Sequence, residues 1–128
     1  IALRYAVFVQ EQRVPEELEL DDEDASARHL LVQDSSGSAL GTLRILVKGK
    51  TAKIGRVAVV REARQQGIGM EMMRRALAFC QDLNLESVAL DSQTYITPFY
   101  EKLGFRATGD EFMDAGIPHI HMTRSLHP

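Results

Sequence analysis

The chain has 128 residues, 45% of them hydrophobic, which suits one domain over residues 1–128 with an ordinary core and leaves no room for a second. Its formal net charge is −3 with both signs interspersed, which argues against nucleic acid as a partner because phosphate contacts need a clustered basic surface. Its apolar runs are too short to span a membrane. Its lone cysteine, Cys80, permits no internal disulfide, which predicts a cytoplasmic protein.

The first predicted element is a helix over residues 3–12, because Leu3, Ala6 and Val7 recur at helical spacing. Pro15 ends this pattern. Residues 16–24 are mostly acidic, which is typical of a solvated loop. Because the chain opens at Ile1 inside the predicted helix, we expect further residues upstream of it.

Three strands are predicted next, over residues 29–33, 40–47 and 53–60. Short turns at 34–38 and 48–50 connect them, which predicts an antiparallel meander. In the third strand, the alternation of side chains predicts that Val57 and Val59 face one side of the sheet. Arg56, Ala58 and Val60 are predicted to face the other side.

The hydrophobic period then changes to that of a helix over residues 68–83, followed by a short apolar strand at 87–91 and a second helix at 98–103. The apolar face of the first of these helices comprises Ile68, Met72, Met73, Ala76, Cys80 and Leu83. Two final strands are predicted at 105–108 and 117–124. This order of elements predicts an α/β (α+β) fold in which helices pack on a mixed, largely antiparallel sheet.

The loop between the third strand and the long helix has the composition of an anion-binding site. Gly67 and Gly69 lack side chains, so that backbone amides at the start of a helix can approach a ligand, and the helix dipole favours a negative charge there. Arg64 adds a positive charge, and together these features suit a pyrophosphate. A dinucleotide fingerprint would need a third glycine where Met72 stands, and no Gly-Lys-Ser/Thr of a Walker loop is present. From the residues alone, a plain turn remains an alternative.

Two motifs resemble those of the GNAT family of N-acetyltransferases. Val57-Ala58-Val59 followed by Arg64-Gln65-Gln66-Gly67-Ile68-Gly69 resembles the central motif of that family, and Pro98-Phe99-Tyr100-Glu101-Lys102-Leu103-Gly104-Phe105 resembles its second signature. One helix and one strand separate the two, as in the family. The stretches 7–12, 15, 19–24 and 27–29, together with 117–122, resemble the ElaA-like branch.

The resemblance implies a sheet that splays open beside the strand at 53–60, with acetyl-CoA as cosubstrate in the cleft. It also implies a short strand upstream of the opening helix. The pantetheine arm is expected along the backbone near Val57 and Val59, and the pyrophosphate on the amides of residues 65–70. Gln93 stands where the family often has an asparagine. The implied cofactor contacts are Val57, Ala58, Val59, Arg64, Gln65, Gln66, Gly67, Ile68, Gly69, Met70, Gln93 and Phe99.

The chemistry that the resemblance implies is acetyl transfer from a thioester to the amine of a small molecule or peptide, by direct attack. Tyr100 occupies the position of the family's general acid, which protonates the leaving thiolate. The general base is not identified by the sequence, and we retain Glu11 and His119 as candidates for it. The full set of possible bases is Glu11, Asp21, Asp24, His29, His119 and His121. Cys80 falls on an apolar helix face, so that no acyl-cysteine is expected. No third ligand has metal-binding spacing, so no metal is expected.

Two other functions are compatible with these residues. One is a non-catalytic acyl-CoA sensor on the same fold, which would not need Tyr100. The other is a nucleotide- or phosphate-binding protein outside the family, which would gain nothing from the pantetheine arm. If the acidic segment 16–24 flanks the acceptor entrance, it would favour cationic amines such as polyamines. The fold is also compatible with a homodimer formed through sheet edges.

Overall fold

In the computed structural model, the residues described are 3–9 and 27–127. They form one seven-stranded sheet with two α-helices, labelled here in chain order. The strands are β1 (Arg4–Val9), β2 (Arg28–Gln33), β3 (Ala39–Lys48), β4 (Thr51–Val59), β5 (Ser87–Gln93), β6 (Arg106–Asp114) and β7 (Ile117–Ser125). The helices are α1 (Ile68–Asp82) and α2 (Thr97–Glu101). Neither helix in this part of the chain is long and apolar enough to cross a membrane.

The strand order across the sheet is β1-β2-β3-β4-β5-β7-β6. Neighbouring strands pair antiparallel, except β4 and β5, which run parallel because α1 crosses between them. The predicted meander of three strands is confirmed as β2, β3 and β4. The predicted fold class, a mixed and largely antiparallel sheet with flanking helices, is confirmed as well.

The core lies between α1 and one face of the sheet. The helix buries the side chains that the sequence predicted for its apolar face, with one exception: Leu83 is 47% exposed, because the helix ends at Asp82 and the chain turns at Asn84, whose φ is 59°. The helix side chains pack on a layer of aliphatic residues from the central strands. Its fully buried members include Leu30, Leu43, Ile45, Ile54, Val88, Leu90 and Met122.

The helix predicted over residues 3–12 is wrong within the described residues, because Arg4–Val9 forms β1, antiparallel to β2. The segment combines aromatic and β-branched side chains that suit a strand, and pairing with β2 supplies the backbone partners that a helix would otherwise make internally. Tyr5 packs against the core, and the Arg75 guanidinium lies over its ring at 4.1 Å. Residues 10–12 and the acidic segment 16–24 lie outside the described residues.

Candidate active site

The sheet splays open between β4 and β5. The two strands pair only where Thr51, Ala52 and Lys53 meet residues 87–89, although β4 continues to Val59 and β5 to Gln93. A β-bulge in β4 bends the strand at this point, since Arg44 pairs with Gly55 and Thr42 with Ala58, which leaves Leu43 opposite two residues. Arg56 within the bulge has a φ of 52°. The backbone edge of β4 that faces β5 therefore has no strand partner over residues 54–59 in the described structure.

The open gap forms a cleft of about 730 Å³ between the ends of β4 and β5. It is lined by Val57, Ala58, Val59, Ala63, Arg64, Gln65, Gly67, Ile68, Gly69, Met70, Gln93, Tyr95, Ile96, Phe99 and Tyr100. All of the predicted cofactor contacts line this cleft except Gln66. The Gln66 side-chain amide donates a hydrogen bond to the Glu62 carbonyl at 3.2 Å. The sequence did not point to Tyr95 and Ile96, which the turn after β5 brings to the same cleft.

The loop between β4 and α1 leaves several backbone amides without hydrogen-bond partners in the described structure. Gln65 and Gly67 both adopt left-handed conformations, with φ of 69° and 77°. The first amide that the helix uses is that of Glu71, which donates to the Gly67 carbonyl at 3.0 Å. Within residues 3–9 and 27–127, the six amides of residues 65–70 have no hydrogen-bond partner, and no side chain caps the helix. Six amides at the positive end of a helix dipole form a cradle for an anion.

Two further contacts shape this cradle. The Arg64 guanidinium donates from Nε to the Val59 carbonyl at 3.1 Å, so that its positive charge is fixed at the end of β4. A Cβ placed on Gly69 would lie 3.6 Å from Cζ of Phe99. The absence of a side chain at Gly69 thus leaves the backbone accessible beside the Phe99 ring. The residues present fit a pyrophosphate group attached to an apolar arm.

A second and smaller cleft of about 310 Å³ lies at the same gap. Val57, Gln93, Ile96 and Tyr100 line both clefts. The second cleft is otherwise lined by Ile54, Gly55, Arg56, Leu90, Asp91, Ser92 and His119. The two spaces are therefore adjacent, and Tyr100 is one of the four residues that both contact.

Tyr100 is 9% exposed and lies in α2. Its ring makes edge-to-face contacts with Phe99 and Phe105, at centroid distances of 5.0 and 6.0 Å. Burial raises the pKa of its phenol, so that it stays protonated at neutral pH. No hydrogen bond to its hydroxyl is present within the described part of the chain, so the proton is available for donation into the cleft.

The remaining predicted acid–base candidates are dispersed. His119 lines the second cleft, whereas the His121 ring donates from Nδ1 to Asp91 Oδ1 at 2.8 Å. Lys53 Nζ lies 3.2 Å from the other carboxylate oxygen. Burial alone would raise the pKa of Asp91, but the hydrogen bonds and charges of His121 and Lys53 outweigh it and lower that pKa.

Of the other candidates, His29 lies in β2, which β3 separates from the cleft strand β4. Glu11, Asp21 and Asp24 lie outside the described residues. Cys80 is fully buried, and burial raises the pKa of its thiol to about 11, as expected for a packing residue. Within the described ranges, no group of three His, Cys, Asp or Glu side chains is placed to hold a metal ion.

Comparison with known proteins places these features in context. Residues 3–126 match the model of the acetyltransferase (GNAT) domain family. The uncharacterized N-acetyltransferase YjcF of Bacillus subtilis is 35% identical over 123 residues, which are 95% of this chain and 87% of YjcF. The crystal structure of an acyl-CoA N-acyltransferase from Pseudomonas aeruginosa is 29% identical, with a TM-score of 0.78 over 96% of this chain and 99% of that one. Escherichia coli ElaA is 28% identical, with a TM-score of 0.74 over 83% of this chain and 74% of ElaA.

Proposed function

The chain belongs to the acetyltransferase (GNAT) domain family, and from this premise we propose that it transfers an acetyl group from acetyl-CoA to the amine of a small molecule or peptide by direct attack. The observation that carries the proposal is the adjacency of two clefts that both contact Tyr100, one of which ends in the cradle of six amides. This arrangement offers separate sites for a donor and an acceptor on either side of one proton donor.

The donor site is proposed to use backbone groups more than side chains. Amides of residues 65–70 receive the pyrophosphate. The edge of β4 near Val57 and Val59 has no strand partner and offers backbone groups to the amides of the pantetheine arm, apart from the Val59 carbonyl, which accepts from Arg64. Gln93 at the end of β5 adds a side-chain amide on the opposite wall. Phe99 and Ile96 supply apolar surface for the arm. The bound thioester supplies an activated acyl carbon.

The residues of the gap then direct the transfer. An alkyl amine has a pKa of about 10 and must lose a proton before it attacks, and the thiolate that leaves must gain one. The buried Tyr100 phenol, protonated at neutral pH, donates that second proton. Direct attack is favoured over an acyl-enzyme because Cys80 is fully buried as a protonated thiol.

Replacement of the Tyr100 hydroxyl tests this proposal. We expect Tyr100→Phe to bind acetyl-CoA as the wild type does, because the ring contacts remain, and to lose acetyl transfer by about 10²-fold or more. The matched control is Tyr5→Phe, which removes a phenol that packs against α1 residue Arg75. Turnover is measured by mass spectrometry of acetylated lysine, spermidine and a peptide with a free α-amine.

The outcomes separate the alternatives. Transfer by the wild type and by Tyr5→Phe, with loss in Tyr100→Phe, supports the enzyme. Tight binding of acetyl-CoA without transfer to any amine in the panel would favour the acyl-CoA sensor. Full turnover in Tyr100→Phe would remove the tyrosine from the mechanism.

A further inference from the structure

His119 lies near the start of β7, opposite the end of β5. It pairs with Gln93 across the β5–β7 ladder and lines the second cleft together with Tyr100. Its imidazole stacks on the Phe112 ring of β6, with centroids 5.8 Å apart and planes 27° apart. The ring is therefore held in place on the side of the gap away from the amide cradle.

The hydrogen bonding of His119 defines which ring nitrogen carries its proton. Nδ1 lies 2.8 Å from the carbonyl oxygen of Ile117. Because a carbonyl can only accept, Nδ1 of the neutral imidazole is the donor, and the lone pair is on Nε2. Within the part of the chain that the structure describes, Nε2 has no hydrogen-bond partner. The geometry leaves Nε2 as an unoccupied proton acceptor on a ring that lines the cleft.

Asp91, which lines the same cleft, and His121, which contacts Asp91, are already engaged. Both carboxylate oxygens of Asp91 are in contact with a partner, one with the His121 ring and one with the Lys53 ammonium. The His121 ring is committed to Asp91 through Nδ1. Among the described residues that line the second cleft, His119 is thus the one with an uncommitted basic atom.

Each strand around the His119 imidazole contributes a charged or titratable residue near it. Arg56 of β4 and Asp91 of β5 line the same cleft, and Glu111 of β6 adjoins Phe112, the residue that pairs with His119. On β7 itself, the titratable neighbour is His121, two residues away.

We propose that His119 is the general base of the transfer, an assignment that rests on the proposed function. His119 Nε2 takes one proton from the acceptor ammonium, and the free amine that results attacks the acyl carbon. The carbon–sulfur bond breaks with its electron pair moving to sulfur, which takes the proton of the Tyr100 hydroxyl. The new amide nitrogen gives its second proton to the Tyr100 phenolate, and solvent removes the proton from the imidazolium, so that both side chains are restored. The base and the acid act from different walls of one gap.

His119→Gln tests the assignment, with His121→Gln as the matched control on the same strand and face. At pH 7 we expect His119→Gln to lower kcat/KM for spermidine and lysine by about 10²-fold or more, since general bases contribute 10²–10⁴. The deficit should shrink as pH rises, because free amine then becomes available without a base. His121→Gln should keep the kcat/KM and pH dependence of the wild type, and both variants should keep the wild-type affinity for acetyl-CoA, which also establishes that they fold.

Nitrogen-15 NMR of the imidazoles gives a readout independent of turnover. We expect His119 in the Nδ1–H tautomer, with its Nε2 resonance shifting when spermidine is added to the protein. Wild-type kcat/KM in His119→Gln, a deficit independent of pH, or an Nε2–H tautomer would overturn the assignment while leaving the proposed function intact. Absence of transfer by the wild type to every amine in the panel would overturn both.

Discussion

Gly67→Ala and Gly69→Ala form a matched pair that tests the conformation of the amide cradle. Gly67 has a φ of 77°, and a Cβ added there would meet no atom within 4 Å. The cost of alanine at this position is therefore backbone strain alone, about 1–2 kcal/mol of unfolding free energy. Gly69 has no left-handed φ, and its added Cβ would make an ordinary contact 3.6 Å from Phe99. Alanine at Gly69 should stabilise the helix by up to about 1 kcal/mol.

These free energies correspond to changes in thermal stability of opposite sign. For a domain of this size, 1 kcal/mol shifts Tm by about 4 °C. Circular dichroism at 222 nm should thus show Gly67→Ala melting about 4–8 °C below the wild type and Gly69→Ala melting at the wild-type temperature or up to about 4 °C above it. Gly67→Ala should also bind acetyl-CoA more weakly, because relief of the strain turns amides away from the cleft.

Equal shifts of Tm in the two alanine variants, or wild-type stability in Gly67→Ala, would refute this prediction. Either result would mean that the loop does not hold the left-handed turn that presents its amides. If Gly69→Ala keeps its stability but no longer binds acetyl-CoA, the ligand contacts the backbone at Gly69, next to Phe99.

Two further predictions concern groups with shifted pKa values. With a thiol pKa of about 11, about one Cys80 side chain in a thousand is ionised at pH 8. Iodoacetamide should therefore label Cys80 far more slowly in the native protein than in urea. Equal labelling rates would show that the thiol is accessible in the folded protein. Asp91 has a lowered pKa in the fold, so its interactions with Lys53 and His121 stabilise the protein above the ordinary value of 3.8, and this stability is lost as pH falls below 3.8 through the folded pKa. Because the carboxylate is about one-third exposed, Asp91→Asn should lower the unfolding free energy at pH 7 by less than about 1 kcal/mol. The loss should be smaller at pH 2, and an equal loss at both pH values would exclude an electrostatic cause.

Local signals in the sequence predicted the long helix and the cradle well. The helical period of residues 68–80 identified the buried face of α1, and the glycines at 67 and 69 marked the turn that exposes amides. The predicted strand at 105–108 is extended in β6 to Asp114. Every residue of β6 is exposed, so no alternation of polar and apolar residues could indicate its length.

Features that depend on tertiary pairing left no comparable signal. The segment of β1 has a helical pattern in isolation and becomes a strand through pairing with β2. The bulge places Arg56, a residue other than glycine, at positive φ, and nothing in its neighbours predicts that. The second cleft lies where β4 and β5 separate, so the presence of His119 and Tyr100 in the same cleft could not be deduced from spacing. The role of Glu11 stays a prediction, since it lies outside the described residues.

Calorimetric titration with acetyl-CoA, run beside a titration with ADP, tests the central claim most directly. We predict saturable binding at one site, with acetyl-CoA clearly tighter than ADP, because we expect the pantetheine arm to gain contacts with the open edge of β4 and the apolar surface at Phe99. Equal affinity for the two ligands would show that only the phosphates are recognised and would contradict an acyl-CoA site. Absence of saturable binding by acetyl-CoA would contradict the proposed role of the cleft altogether.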